Sequence, residues 1–332
     1  MINAAYSSLR GAVSLIFYVL NTFFWVTPIF LGAVLKPAIP FRPFRTFCDR
    51  ILNACANGWI GVNNLNQNIF ADIRYQVFGM ENFQRRSWYL VVANHQTWVD
   101  ILVLQRIFHR EIPFLKFFLK KELFWFPVMG QAWWALDFPF MKRYSRAFLE
   151  KHPHLKGQDL AATRKACEKF KTIPVSIMNF VEGTRFTRAK HDRQHSPHRN
   201  LLKPRAGGIA FVMGAMGEHL DSLIDVTIAY PEGARSFWDF LCGKITEIRI
   251  QIRSIPITPD MLGDYFNDER FRCAFQAWVN TLWEQKDRCM DALLALPPLH
   301  GAPSAAASPP FCESFPSLEK VRMGKEAPGA AS

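Results

Sequence analysis

Several landmarks that would place a chain quickly are missing from these 332 residues. No Gly-x-Gly-x-x-Gly follows an apolar run and no Walker A sequence occurs, so neither of those modes of nucleotide binding has support. The seven cysteines (Cys48, Cys55, Cys167, Cys242, Cys273, Cys289 and Cys312) are odd in number, scattered, and never form Cys-x-x-Cys. That pattern speaks against a disulfide framework or a zinc site and indicates a reducing compartment for the soluble part. There is no internal repeat. The tail, residues 297–332, is rich in Pro, Ala, Ser and Gly and almost without periodicity, and is expected to be disordered.

The most telling absence is of charge. Between Arg10 and Lys36 lie 25 uncharged residues, whereas about 20 suffice to cross a hydrocarbon core. A secretory signal fits poorly, because the apolar region is too long and no Ala-x-Ala site follows. A membrane helix over about residues 11–35 is expected instead. Lys36, Arg42, Arg45 and Arg50 follow it against the single acid Asp49, a bias that keeps the following side cytoplasmic. Residues 51–70 are apolar but dotted with Asn, and are expected to form an interfacial helix pairing with the first as a hairpin. Residues 1–70 are thus an anchor, and residues 71–296 a globular domain.

What is abundant is aromatic and basic. Thirty Phe and ten Trp bring the aromatic share to 14%, which suits large apolar contact areas or a membrane boundary. Lys and Arg exceed Asp and Glu by 40 to 28, a net charge of +12, implying an anionic partner: nucleic acid, an anionic lipid surface or a phosphorylated substrate.

In the globular part, apolar runs alternate with helical patterns. Strands are expected at residues 75–80 (an edge), 88–93, 113–118, 135–141, 174–180, 223–230 and 246–255, the last half-exposed or at an edge because it alternates apolar with polar residues. Helices are expected from Thr97, a candidate N-cap, to Leu104, over residues 158–171 and 267–296, and, opened by the stretch of residues 201–208, to about Met216. Residues 186–200 read as a polar, basic surface loop. The alternation predicts an α/β layered domain with a mostly parallel sheet flanked by helices, preceded by the membrane helix or hairpin.

Four stretches put polar or basic residues just past a strand or at the head of a helix. They are His95 with Asp100, Lys142-Arg143, Glu182-Gly183-Thr184-Arg185, and Lys203-Pro204-Arg205. In open α/β sheets ligands bind at the carboxyl ends of strands. A His held by a carboxylate is an oriented general base near neutral pH. Singly, each has a plainer account: a helix-capping cluster, a turn that uses Gly, a solvated charged face. Their joint order is what argues for a site.

Together they resemble the membrane-bound glycerolipid acyltransferases that include the 1-acylglycerol-3-phosphate acyltransferases. His95-Gln96-Thr97-Trp98-Val99-Asp100 is similar to that family's His-x-x-x-x-Asp block, residues 138–143 to its second block ending in Arg, and Phe180-Val181-Glu182-Gly183-Thr184-Arg185 to its Phe-Pro-Glu-Gly-Thr-Arg block. The hydrophobic run ending at Pro231 resembles the fourth. Val181 stands where the family usually has Pro, and Leu136-Asp137-Phe138-Pro139-Phe140 departs from the Gly and apolar pattern common before the Arg. The wording VANHQTWVDILVL, FVEGTRFT, LLKPRAGG and DVTIAYP is most similar to the lysocardiolipin-type subgroup and its bacterial relatives.

The resemblance implies transfer of an acyl group from an acyl thioester (acyl-coenzyme A or acyl carrier protein) to the sn-2 hydroxyl of 1-acyl-sn-glycerol 3-phosphate, making phosphatidic acid, with no metal and no other cofactor. It implies His95 as base and Asp100 as its support. Arg143 and Arg185 would bind the acceptor's phosphate, and Lys203 and Arg205 that phosphate or those of coenzyme A. Gly183 and Thr184 would line the site, and Glu182 would orient Arg185 or a substrate hydroxyl. The expected place is the bacterial cytoplasmic membrane with the domain on the cytoplasmic side. Alternatives are another lysophospholipid acceptor, such as lysocardiolipin or lysophosphatidylglycerol, a phospholipid as donor, a non-catalytic scaffold, and a membrane-tethered basic binding module. The last lacks any recognisable nucleic-acid motif, so no nucleic-acid partner is expected.

Overall fold

A computed structural model describes residues 2–39, 41–80, 83–141, 170, 173–298 and 318. Lys142 and Arg143, the expected helix over residues 158–171 except Phe170, and the tail beyond Pro298 except Leu318 lie outside the described residues.

The chain opens with two long helices, α1 (Ile2–Ala38) and α2 (Arg42–Phe70), longer at their outer ends than the sequence suggests. They pack on each other through polar side chains. Ser14 donates to Asn66 at 2.7 Å, and Asn21 donates to Asn63 at 2.8 Å and to the Trp59 carbonyl at 3.0 Å. Phe23, Phe24, Leu20 and Leu31 meanwhile face outward. A pair that joins polar side chains between its helices and turns apolar side chains outward suits a lipid environment. By length and composition α1 could cross a membrane.

Both ends of α1 are nevertheless tied to the globular part. Ser7 and Arg10 donate to the Cys242 carbonyl, each at 3.1 Å, and Lys36 pairs with Asp137 at 2.9 Å and Asp49 at 2.5 Å. A helix of 37 residues is about 55 Å long at 1.5 Å per residue, so α1 runs along the domain rather than away from it.

The domain is built on a six-stranded sheet. Its strands are β1 (Arg74–Phe78), β2 (Tyr89–Ala93), β3 (Leu115–Phe117), β6 (Ser176–Phe180), β7 (Ser222–Ala229) and β8 (Glu247–Pro256), in the order β1-β8-β7-β2-β6-β3. Among the described residues only the β7–β8 pairing is antiparallel. β3, β6, β2 and β7 therefore end on one common edge.

β2 lies in the middle with every residue buried, and successive side chains serve opposite faces. Val91 and Ala93 join one core with α3 (Val99–Ile107), α1 and α2. Leu90 and Val92 join another with α6 (Gly207–Met216) and α8 (Glu269–Ala295). Each fully buried Val or Leu there is worth roughly 1.5–3 kcal/mol.

Three elements differ from the sequence reading. Residues 135–141 are not one strand. α4 (Met129–Ala135) ends there, Asp137 turns the chain at φ +57, and only β5 (Phe140–Met141) is extended, paired with β4 (Leu119–Lys120). The expected loop over residues 186–200 contains α5 (Arg188–Gln194). The Thr187 hydroxyl caps it by accepting from the Lys190 amide at 3.3 Å, and His195 ends it in a left-handed conformation.

β8 is neither exposed nor an edge strand. It lies between β1 and β7, and its polar residues Glu247, Arg249, Gln251 and Arg253 face α8 instead of water. Arg249 pairs with Glu247 at 2.5 Å and donates to the carbonyls of Leu293, Leu296 and Pro297, which close the C-terminal end of α8. Arg253 and the buried Lys286 of α8 meet on Asp225 at 2.7 and 2.5 Å. Buried charges survive when paired this closely, so alternation that looked like solvent contact is a helix-docking face.

Candidate active site

The carboxyl edge of the sheet gathers the expected residues. β2 ends at Ala93, and Asn94 extends its pairing with β7 through a side chain. The Asn94 amide accepts from the Ile228 N–H and donates to the Ile228 carbonyl, both at 2.9 Å. This leaves His95 just beyond the strand end. The chain then enters α3, whose N-cap position is Trp98 without a side-chain cap. Thr97 does not cap the helix as expected. Its hydroxyl donates to the Arg235 carbonyl at 2.7 Å. The turn is instead held by Asp100, in the first turn of α3, whose Oδ2 accepts from the Gln96 and Thr97 amides at 2.6 and 2.9 Å.

The same Oδ2 accepts from His95 Nδ1 at 2.8 Å. A carboxylate so placed can only accept, so Nδ1 carries the proton and Nε2 is left as the basic nitrogen. The ring cannot turn freely, because it stacks on Phe180 with centroids 3.9 Å apart and planes 11° from parallel. His95 is 9% exposed: its environment is apolar, and it still meets the surface.

Glu182 follows β6 and is fully buried. Its two oxygens accept from the His95 amide at 3.2 Å and the Leu202 amide at 3.1 Å. This corrects the expectation that Glu182 meets a substrate hydroxyl or Arg185. Its carboxyl joins three segments of chain and has no exposed surface to offer. Burial pushes it up to about 8, against the pull of the two amide donors.

Gly183 sits next at φ +69, a conformation that favours glycine, and its open side meets Arg205, whose Cδ would lie 3.4 Å from an added Cβ. Thr184 accepts from Lys190 Nζ at 2.8 Å. Arg185 is exposed and lays its guanidinium 4.5 Å from the centre of the Trp98 ring, while the next residue, Phe186, donates its amide to the His95 carbonyl at 2.7 Å.

Residues 201–205 run beside this loop. The Arg205 amide donates to the Val181 carbonyl at 2.9 Å, and the Lys203 amide to Gln194 Oε1 at 3.3 Å. The side chains of Lys203 and Arg205 are exposed. Gln96 donates to the Asn200 carbonyl at 3.2 Å, and Asn200 is fastened to Asp287 and Asp291 of α8. His95, Asp100, Glu182, Gly183, Thr184, Arg185, Lys203 and Arg205 thus belong to one connected edge; Arg143 is outside the described residues. Phe180, Trp98 and Tyr230 also belong to it, and the sequence reading gave them no role. Their signal is their place inside the blocks: Trp98 in the first, Phe180 at the head of the third and Tyr230 just before Pro231 in the fourth.

A base-bearing edge with exposed guanidinium groups is the frame on which the comparisons bear. Residues 74–236 match the acyltransferase family model. These residues form an acyltransferase-family domain.

Its relatives include the probable 1-acyl-sn-glycerol-3-phosphate acyltransferase 5 of Arabidopsis thaliana, 28% identical over 218 residues, which are 61% of this chain and 52% of that protein. The human 1-acyl-sn-glycerol-3-phosphate acyltransferase delta is 26% identical over 66% of this chain and 55% of its own length. Lysocardiolipin acyltransferase 1 of Danio rerio is 24% identical over 84% of this chain and 70% of its own. The chain thus spans about half the length of the first two. Among solved structures, the 1-acyl-sn-glycerophosphate acyltransferase PlsC of Thermotoga maritima superposes with a TM-score of 0.48 at 16% identity, over 87% of this chain and 99% of that one. The acyltransferase domain begins at β1 and runs just past Arg235, so it includes the whole His95–Glu182–Arg205 edge.

Proposed function

We propose that the protein transfers an acyl group from an acyl thioester to the free hydroxyl of a lysophospholipid, with 1-acyl-sn-glycerol 3-phosphate as acceptor and phosphatidic acid as product. The observation that carries this reading is the 2.8 Å bond from His95 Nδ1 to Asp100, inside a domain that matches the acyltransferase family. An alcohol is a weak nucleophile at neutral pH. His95 Nε2 takes its proton as the oxygen attacks the thioester carbonyl, and Asp100 stabilises the imidazolium that forms. The tetrahedral intermediate collapses by breaking the C–S bond, and the leaving thiolate receives the proton from His95. No acyl-enzyme forms, and the reaction calls on no metal or organic cofactor; the thioester, acyl-coenzyme A or acyl carrier protein, is a co-substrate.

Arg185, with Arg205 and Lys203 nearby, supplies the positive charge for the acceptor's phosphate, and Arg143 is assigned to the same role from its motif alone. The division into an anchor over residues 1–70 and an acyltransferase domain over residues 71–296 belongs to this reading. So does a place on the cytoplasmic face of the bacterial inner membrane, supported by the apolar α1 and the basic residues that follow it. A second acceptor, lysocardiolipin, is favoured by the similarity to lysocardiolipin acyltransferase 1, which extends over 84% of this chain. The test is product analysis of purified full-length protein given acyl-coenzyme A, or acyl carrier protein thioester, and a panel of lysophospholipids. Phosphatidic acid formed by wild type and lost in His95→Ala supports the reading; no acylated product with any acceptor overturns it.

A further inference from the structure

The two oxygens of Asp100 are bonded differently. Oδ2 takes the three donors of its own segment: His95 Nδ1, the Gln96 amide and the Thr97 amide. Oδ1 accepts from the hydroxyl of Tyr230 at 2.6 Å, a residue 130 positions away just past the end of β7. Tyr230 is 4% exposed, so this bond is shielded from water. The ionisable groups around the pair include Glu182 behind the His95 amide, Tyr75 near Tyr230, Arg106 over the Tyr75 ring, the buried Lys286, whose charge reaches Glu182, and the exposed Arg185, Lys203 and Arg205 on the same edge.

A carboxylate bonded through one oxygen can still twist about its Cβ–Cγ bond. A donor on the second oxygen fixes the plane and draws part of the charge away from the first. Stacking on Phe180 already holds the His95 ring, so the Asp100 plane is the remaining freedom in the pair.

We propose that Tyr230 is a positioning residue for acyl transfer, its hydroxyl fixing the Asp100 carboxylate and moderating how strongly His95 Nε2 binds a proton. The inference rests on the His95–Asp100 reading above. Burial and the neighbouring carboxylate hold the Tyr230 hydroxyl well above its ordinary range, so it stays protonated and remains a donor wherever the enzyme works.

The first variant is Tyr230→Phe, which keeps the ring and removes the hydroxyl. Steady-state kinetics should show kcat lowered about tenfold, the scale of one hydrogen bond to a charged group, with both KM values unchanged. With more charge left on Oδ2, the acid limb of the pH–rate profile should move up by roughly half a pH unit. Site-specific 2,3-difluorotyrosine at position 230 keeps ring and hydroxyl but donates more strongly, and should move that limb the other way. In parallel, 15N-histidine spectra of the detergent-solubilised full chain, with His95→Gln for assignment, should show the His95 titration following the same two directions.

That spectroscopic arm needs no turnover, so an absence of acyl transfer in wild type would sink the proposed function while leaving Tyr230 still tested. A purely structural tyrosine would lower the melting temperature in Tyr230→Phe with kcat and the His95 titration as in wild type. That result, or a fluorotyrosine limb that does not move, overturns the proposal.

Discussion

The Glu182 carboxylate accepts the backbone amide of His95 at 3.2 Å while its other oxygen accepts that of Leu202, so one buried side chain fixes where the base leaves its strand. This link has a pH signature. The carboxyl is raised in the folded protein to about 8 from an ordinary 4.5. The folded state therefore holds the proton more tightly than the unfolded chain. The resulting stability is full below about pH 4.5 and is lost as pH rises through about 8. Glu182→Gln removes that titration. The wild-type lead in melting temperature over the variant should be greatest in acid and shrink toward alkaline pH, followed by calorimetry in detergent. A lead that does not vary with pH would assign the titration to another group.

Removing the base should cost most of the rate. His95→Ala is expected to lower kcat by about 10²–10⁴, the usual contribution of a positioned general base. Asp100→Asn should approach the same loss, because the amide can present N–H to Nδ1 and turn the ring to the tautomer whose Nε2 carries the hydrogen. Both are read in single-turnover assays with labelled acyl thioester. Wild-type turnover by His95→Ala would require a different base.

Arg185 is exposed, with its guanidinium 4.5 Å from the centre of the Trp98 ring, and the proposed function gives it the acceptor's phosphate. Arg185→Ala should raise the acceptor KM about tenfold with little change in the donor KM, and Arg185→Lys should restore little, since an ammonium lacks both the fork and the stacking. Trp98→Ala should reproduce part of the effect. An acceptor KM unmoved by all three changes would place the phosphate elsewhere.

The buried ion cluster predicts a fold defect. Lys286 lies between Asp225 at 2.5 Å and the Val226 carbonyl at 2.6 Å, with no exposure. Its replacement by Met leaves Asp225 with Arg253 as its remaining close ionic partner and takes the ammonium donor from the Val226 carbonyl. About 3 kcal/mol of stability should be lost in denaturant unfolding, the scale of breaking a buried pair. Kinetic constants at low temperature should remain those of wild type. A variant as stable as wild type would mean that the cluster contributes no net stability.

Much of this is legible in the sequence itself. The 25 uncharged residues, the buried run ending at Ala93 and the spacing of His95 and Asp100 are local patterns, and each fixes its own geometry. His95 and Asp100 stand five positions apart across the junction from β2 to α3, so one tight turn, held by the Gln96 and Thr97 amides on Asp100, is enough to bring them together. What local pattern could not decide was anything that depends on a distant partner. Polar alternation in β8 is the same whether water or α8 covers it, so the pattern alone points as readily to an exposed edge as to the buried face the strand has. Glu182 beside Arg185 reads as a site residue until its oxygens are found on amides 87 and 20 positions away. Tyr230 looked like the last apolar residue of a strand until β7 was laid parallel to β2 and its hydroxyl met Asp100. The sequence alone determined which groups could do the chemistry. The tertiary structure decided how they are held, because burial and long-range hydrogen bonding are properties of the assembled sheet and not of any one segment.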